Sequence, residues 1–237
     1  MRIINIGSRV VNNYIIETHI GYVVIDTGYA GGYNNFLKRL TRSGIDKTDI
    51  KFVFITHVHD DHVGFLNELL RDTDATLILH RESPERLLKG RNELIGGCPN
   101  LLAKLFVKSM NIVGKGKHEF PVAEVNNCDK LVLWTGNNQF FRELGVELDI
   151  ISLPGHTSDS IGLLTGNGDL LCGDACMNNF PSIKRNIIWI ENLDDYRKSW
   201  NTMIQSSAHT IYPSHGSPFP KKDLIRYSSY LEKIRIQ

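Results

Sequence analysis

The chain has 237 residues, enough for one large domain or two small ones. Lys and Arg number 27 and Asp and Glu 26, so the net charge of +1 carries no global excess that would favour nucleic acid or a basic membrane contact. With 41% hydrophobic and 22% charged residues, the composition excludes a collagen-like, low-complexity or intrinsically disordered chain.

The distribution of apolar residues along the chain indicates whether the protein enters a membrane or is secreted. The longest apolar runs, such as those at 22–25 and 52–55, have four residues, far short of the ~18 that a membrane helix requires. The first apolar stretch is interrupted by Asn, Gly, Ser and Arg between positions 5 and 9, which spoils the hydrophobic region of a secretory signal. We therefore expect a cytoplasmic protein with no membrane partner.

The first third of the chain predicts strands followed by alternating helices and strands. Three runs rich in Val, Ile and Tyr, separated by Gly or Asn, predict sequential antiparallel strands within the first 28 residues. The elements predicted after them are a helix over 33–43 that ends at Gly44, a buried strand over 51–57, a helix over 63–71 and a strand over 75–80. This alternation predicts α/β packing.

The pattern changes over 81–130. Helices are predicted near 84–89 and 100–112, with no strand rhythm around them. Between Arg81 and His118 there are eight basic and three acidic residues, a local excess of five positive charges. We predict one domain over 1–237 in which 81–130 is an inserted helical lid or substrate wall, able to attract an anionic small molecule.

Strands resume after the insert. The predicted elements are strands near 131–134, 146–153, 160–166, 169–175 and 210–214, a helix over 193–206 and a closing helix from about 221. The complete chain thus predicts two series of strands with helices outside them.

One motif carries most of the functional signal. The segment 56–62 reads THVHDDH and directly follows the predicted buried strand. Imidazoles two residues apart beyond a strand end, here His57 and His59, can converge on one cation. Asp61 and His62, which turn into the next helix, can reach a second cation alongside. The spacing favours two metal ions.

Two metal ions need more donors than this motif supplies, and three residues have a matching context. His156 in LPGHTSDS, Asp174 in LLCGDAC and His215 in YPSHGSP all follow predicted strands, where α/β folds collect their active sites. The other histidines, assigned to surface or core roles, are His19, His80, His118 and His209. The cysteines, all interpreted as thiols without a metal or redox role, are Cys98, Cys128, Cys172 and Cys176.

Together these motifs resemble the metallo-β-lactamase fold superfamily, in the family's order from VVIDTG around Asp26 to SHG around His215. The resemblance implies a four-layer αβ/βα sandwich with a dinuclear metal site at the open edge between two sheets. The ligand set that it implies is His57, His59 and His156 for the first ion, Asp61, His62 and His215 for the second, and Asp174 as the bridge. Asp26 would support the site through hydrogen bonds.

The residues at several site positions disfavour some of the activities known in this family. His62 and Asp174 stand where true β-lactamases depart at one or both positions, which disfavours antibiotic hydrolysis. Met177 stands where quorum-lactone hydrolases would place a Tyr, and His59 stands where flavodiiron-type members would place a Glu. Neither of these two activities is therefore favoured by the residues that the chain carries.

We expect a hydrolase with two divalent ions, with zinc as the first choice and iron or manganese as alternatives. A metal-bridging hydroxide, oriented by Asp61 as the catalytic residue, would cleave a small-molecule ester, thioester, lactone or phosphoester. The alternatives are a mononuclear iron dioxygenase acting on persulfides, a nucleic-acid phosphodiesterase and a metal-bound binding protein without catalysis. The sequence leaves the oligomeric state open.

Overall fold

The computed structural model describes residues 1–113, 116–123, 125 and 130–237. These residues form two compact units, the first comprising Met1–Asn92 and Glu119–Val146 and the second Glu93–His118 and Glu147–Gln237. Within the described residues, no helix is long and apolar enough to cross a bilayer.

Both units combine helices with a β-sheet. The described strands are β1 (Arg2–Asn5), β2 (Tyr14–Thr18), β3 (Gly21–Ile25), β4 (Ile50–Phe54), β5 (Thr76–His80), β6 (Leu131–Trp134), β7 (Leu148–Ser152), β8 (Ile161–Thr165), β9 (Asp169–Gly173), β10 (Thr210–Pro213) and β11 (Phe219–Pro220). The described helices are α1 (Tyr33–Arg42), α2 (Asp60–Val63), α3 (Leu66–Asp72), α4 (Ser83–Lys89), α5 (Leu101–Ile112), α6 (Gln139–Glu143), α7 (Leu193–Gln205) and α8 (Lys222–Leu231).

The sheet of the first unit has the order β1-β2-β3-β4-β5-β6. The first three strands pair antiparallel, as the sequence predicts, and β3 to β6 pair parallel. Val24 pairs with Val53, which pairs with Leu77, and all three side chains are fully buried, as strands covered on both faces require. Because β3 and β4 are parallel, their carboxyl ends lie at one edge, where Asp26 and His57 follow.

The sheet of the second unit has the order β11-β10-β9-β8-β7. β8 pairs antiparallel with both β7 and β9, and β10 pairs parallel with β9. The strands β7, β9 and β10 therefore run in one direction, and their carboxyl ends share an edge. Trp200 and Tyr196 on α7 are fully buried against this sheet's core, and the Trp200 indole donates to the Ala175 carbonyl oxygen at 3.0 Å.

The predicted helix over 63–71 was wrong in its bounds, because the structure has two short helices there, α2 and α3. The break falls at Gly64 and Phe65, where a Cβ on Gly64 would lie 2.2 Å from the Ala30 backbone nitrogen. The close approach of the loop after β3 thus requires glycine and interrupts the helix. The elements that the sequence did not indicate are the 3₁₀ turn Lys47–Asp49, α6 and β11.

The helices predicted near 84–89 and 100–112 are confirmed as α4 and α5. Within 81–130, however, α4 belongs to the first unit and α5 to the second. Arg86, one of the basic residues counted in this segment, is 7% exposed and therefore contributes little charge to the surface.

Candidate metal centre

Four predicted ligands gather in the first unit, directly after β4. His57 and His62 are fully buried, and His59 and Asp61 are each 8% exposed. The ring centroid of His57 lies 4.8 Å from that of His59 and 4.0 Å from that of His62. The HxHxDH spacing therefore brings its side chains to one place, as the sequence predicts.

Asp26 contacts this cluster through hydrogen bonds, which is the role that the resemblance implies for it. Its Oδ1 accepts from the Thr56 backbone N–H at 2.7 Å, and its Oδ2 accepts from the Thr56 hydroxyl at 2.8 Å and from Nδ1 of His62 at 2.8 Å. Asp26 has φ 57, a left-handed conformation that Asp and Asn tolerate better than other non-glycine residues. The backbone after β3 thus turns sharply to aim this carboxylate at the motif.

These contacts fix the tautomers of two histidines. An ionised carboxylate can only accept, so Nδ1 of His62 carries the proton that it donates to Asp26. The Thr56 hydroxyl gives its own proton to Asp26 and therefore accepts from Nδ1 of His57 at 3.1 Å. In the neutral form of both rings, the lone pair is therefore on Nε2. Partners on the far ring nitrogen of this kind are typical of metal-ligating histidines.

Two further residues support the site in this unit: Thr27, within VVIDTG, and Asn92, which lies in no recognisable motif. The Thr27 backbone N–H and hydroxyl both donate to the His62 carbonyl oxygen, at 2.7 and 2.9 Å. The Asn92 side chain accepts from the Asp60 backbone N–H at 2.8 Å and donates to the Asp60 carboxylate at 2.7 Å. Asn92 thereby holds the first turn of α2, next to Asp61.

The other three predicted ligands gather in the second unit, after β7, β9 and β10. Nε2 of His156 lies 3.5 Å from Oδ2 of Asp174, and Nε2 of His215 lies 3.4 Å from the same oxygen. Nδ1 of His156 donates to the Trp189 carbonyl oxygen at 2.8 Å, so in the neutral ring Nε2 carries the lone pair. Trp189 is a further supporting residue that sequence reasoning missed.

The turn that carries His156 depends on Gly155. Gly155 has φ 127, and a Cβ there would lie 2.3 Å from the Tyr196 backbone nitrogen. The Thr157 and Ser160 hydroxyls lie 2.7 Å apart and bond to each other, so they close the turn. The Glu191 carboxylate accepts from the Ser158 backbone N–H at 3.0 Å.

The His215 loop is held by the segment that follows Asp174. The Asn178 backbone N–H donates to the His215 carbonyl oxygen at 2.8 Å, and its side chain donates to the Ser217 carbonyl oxygen at 2.7 Å. Gly216 has φ 93, and a Cβ there would lie 2.1 Å from the Asn178 carbonyl oxygen. The two loops that carry Asp174 and His215 therefore support each other.

The cysteines beside Asp174 belong to the apolar core. Cys172 and Cys176 are fully buried, with their Sγ atoms 3.2 Å apart, and burial raises the pKa of the Cys176 thiol well above its usual range. Cys98 is also a buried free thiol. The prediction of thiols is confirmed for these three, and Cys128 lies outside the described residues. The histidines expected outside the site, His19, His80, His118 and His209, are exposed or half-buried.

The donor geometry within each unit fits a divalent metal ion. Two donors of a tetrahedral zinc ion, with bonds of about 2.0–2.1 Å, lie about 3.3 Å apart. In the first unit, Nε2 of His62 lies 3.5 Å from Oδ1 of Asp61. The contacts of His156 and His215 with Asp174, at 3.5 and 3.4 Å, are similar in length. Neutral imidazoles and carboxylates at these separations are the donors that zinc, iron and manganese accept.

The chain belongs to the metallo-beta-lactamase superfamily, whose profile matches residues 6–215. The superfamily is one of metal-dependent hydrolases that act on small molecules. A beta-lactamase-like protein 2 homolog of Drosophila melanogaster is 23% identical over 213 residues, which cover 87% of this chain and 58% of the relative. Its Caenorhabditis elegans counterpart is 26% identical over 224 residues, covering 93% and 60%. The chain thus spans about three fifths of the length of these relatives.

Solved structures show the same fold. A metallo-beta-lactamase of Cronobacter sakazakii superposes with a TM-score of 0.68 at 17% identity, over 98% of this chain and 88% of that one. An archaeal metallo-beta-lactamase superfamily protein of Sulfolobus tokodaii gives 0.63 at 21% identity, over 94% and 80%. The resemblance and the α/β, metallo-β-lactamase fold expected from the sequence are confirmed.

Proposed function

We propose that the chain is a dinuclear metal-dependent hydrolase of a small-molecule ester, thioester, lactone or phosphoester. Superfamily membership supports this proposal. The observation that carries it is the orientation of the histidines. His57, His62 and His156 each use Nδ1 for a fixed protein partner, which orients the ring in the way that is typical of a histidine binding a metal ion through Nε2.

The proposed ligands are those of the sequence analysis. The first ion would be held by His57, His59 and His156 and the second by Asp61, His62 and His215, with Asp174 as the ligand shared by both. Zinc is the first choice because nitrogen-rich sites with a few carboxylates suit it, and iron and manganese accept the same donors. The cytoplasmic location stays a prediction.

When bound, two divalent ions supply hydroxide at neutral pH and polarise the oxygen of the scissile bond. Asp61 is the proposed catalytic residue. Its Oδ1 faces Nε2 of His62 at 3.5 Å, and its other carboxylate oxygen would accept a hydrogen bond from the attacking hydroxide and so orient the lone pair of the hydroxide towards the substrate. Asn92 keeps Asp61 in place through the first turn of α2. Asp26 keeps the His62 ring from rotating.

The preference for an anionic substrate rests on the basic residues of 81–130. Lys89 and Arg91 are exposed, whereas Arg86 is buried and is not suited to attract a substrate. Replacing Lys89 and Arg91 together by Gln should lower kcat/KM for an anionic substrate more than for its neutral analogue. An equal effect on both substrates would remove the preference from this proposal.

An activity panel on metal-reconstituted protein tests the proposed function. The panel contains thioesters, lactones, aryl esters, phosphodiesters and RNA, with oxygen consumption on a persulfide measured in parallel. We expect metal-dependent hydrolysis of a small ester-type substrate that Asp61→Asn abolishes and the surface control Asp46→Asn leaves unchanged. Oxygen consumption with one iron per chain would identify the dioxygenase instead, and activity confined to RNA would identify the phosphodiesterase.

A further inference from the structure

Helix α5 is attached to the second unit by one apolar face. Asn100 caps its first turn, since its side chain accepts from the Ala103 backbone N–H at 2.9 Å. Ala103 is fully buried, and the Phe106 ring lies edge-on to Phe180 with centroids 5.9 Å apart. These contacts use only the inner side of the helix.

The outer side of α5 is also apolar. Leu101, Leu105 and Ile112 are 60%, 56% and 78% exposed. At 100° per residue these three side chains lie within about 40° of one another around the helix axis, along about 16 Å of its length. We call them the outer stripe. A surface helix normally turns one apolar face inwards, so a second one in water marks a contact with another apolar body.

The charges around the outer stripe indicate which apolar partner it contacts. Between Leu94 and His118 the chain has four lysines and no Asp or Glu. Lys104 and Lys108 lie one turn apart, both exposed, along one margin of the outer stripe. Aliphatic side chains with lysines along one margin and no acidic residue beside them are typical of helices that lie on the surface of anionic membranes.

Two other occupants fit less well. A second copy of the chain, paired through the outer stripe about a two-fold axis, would bring the lysine margins of both helices into one interface, where like charges repel. RNA would match the lysines but would leave Leu105 and Ile112 without an apolar partner. An anionic lipid surface matches the aliphatic and the charged side chains together.

We propose that α5 binds the surface of an anionic membrane, with the outer stripe at the boundary between headgroups and acyl chains and Lys104 and Lys108 against the lipid phosphates. The helix lies in the plane of the surface and does not span it. This proposal revises the expectation that the protein has no membrane partner, and it is independent of the metal centre.

Vesicle flotation of the whole chain tests the proposal. The vesicles contain either phosphatidylcholine alone or phosphatidylcholine with phosphatidylglycerol. We expect binding to the second kind only, weakened at high salt because the lysine contribution is screened. Leu105→Ser with Ile112→Ser should reduce binding at least about tenfold, since two aliphatic side chains lose their apolar partner. Lys104→Gln with Lys108→Gln should reduce it by a similar factor.

The matched control is Ile225→Ser, which removes an aliphatic side chain that is 54% exposed on α8 and should leave vesicle binding unchanged. Three results would overturn the proposal: no binding of the unmodified chain to anionic vesicles, equal binding to neutral vesicles, or the same loss in the control as in the outer-stripe variant. A dimer in solution that the outer-stripe variant dissociates would identify a second copy as the occupant. Salt dependence of the unmodified chain remains decisive if a variant fails to fold.

Discussion

Replacement of Asp26 by Asn probes how the protein prepares a histidine for metal binding. Asn has nearly the same shape and tolerates φ 57 as Asp does, so the backbone is not strained. Its amide oxygen can still accept from the Thr56 N–H. The amide nitrogen that replaces Oδ2 is a donor and cannot accept from either the Thr56 hydroxyl or Nδ1 of His62.

The loss of stability in Asp26→Asn follows from the hydrogen bonds that are removed. Two hydrogen bonds to a buried carboxylate are lost, both 2.8 Å long, and bonds of this kind contribute about 1.5–3 kcal/mol each. We expect the free energy of unfolding of the metal-free protein to fall by about 2–4 kcal/mol, because the site relaxes in part. The His62 ring must also take its other tautomer, which places a proton on Nε2. Loss of such an orienting partner lowers metal affinity about 10- to 100-fold.

The assay combines urea unfolding of metal-free protein with competition between the protein and a chromophoric chelator for zinc. The control is Asp46→Asn, an exposed carboxylate that accepts from Thr48 and should change neither quantity. A large loss of stability with unchanged metal affinity would refute the reasoning, because Asp26 would then support the fold without preparing His62 for a ligand.

Three further predictions concern other parts of the molecule. Gly155→Ala should lower the free energy of unfolding by about 2 kcal/mol or more and weaken metal binding, because its Cβ would lie 2.3 Å from a backbone nitrogen of α7; thermal unfolding and zinc titration measure both effects. Asp61→Asn should abolish turnover in a folded protein while Cys172→Ser retains it; lost turnover in folded Cys172→Ser would mean that this thiol is a ligand or a redox group. The Tyr33 hydroxyl donates to Asp72 at 3.0 Å and, together with a lysine, lowers the pKa of that carboxyl below its ordinary 3.8. A lowered pKa stabilises the fold above the ordinary value and loses that contribution as the pH falls through the lowered one. The stability difference between the unmodified chain and Tyr33→Phe should therefore be largest well above pH 3.8 and narrow below it, and urea unfolding at several pH values measures it.

The sequence predicted the candidate ligands because their signals are local. His57, His59, Asp61 and His62 stand within six residues, and the other three follow strands that the Val, Ile and Leu pattern reveals. Parallel directions of β7, β9 and β10 then bring their carboxyl ends to one edge. The short apolar runs therefore allowed both the fold class and the position of the candidate site to be predicted.

The supporting residues could not be predicted in the same way. Asn92 bonds to Asp60 across 32 positions, and Trp189 bonds to His156 across 33. Such contacts depend on where a long loop brings a distant residue back to the site. No local sequence pattern predicts that position. The break at Gly64 has the same origin, since it is the Ala30 backbone that forbids a side chain there. The outer stripe was missed because apolar residues in a helix ordinarily predict burial.

The number of metal ions per chain tests the central claim most directly. Metal-free protein is reconstituted with zinc, and the bound metal is measured by mass spectrometry after gel filtration. We expect two equivalents per chain, falling to about one in His215→Ala and staying at two in the control His209→Ala, a surface histidine. One equivalent in the unmodified chain, unchanged by loss of His215, would contradict a dinuclear centre and favour the mononuclear iron alternative.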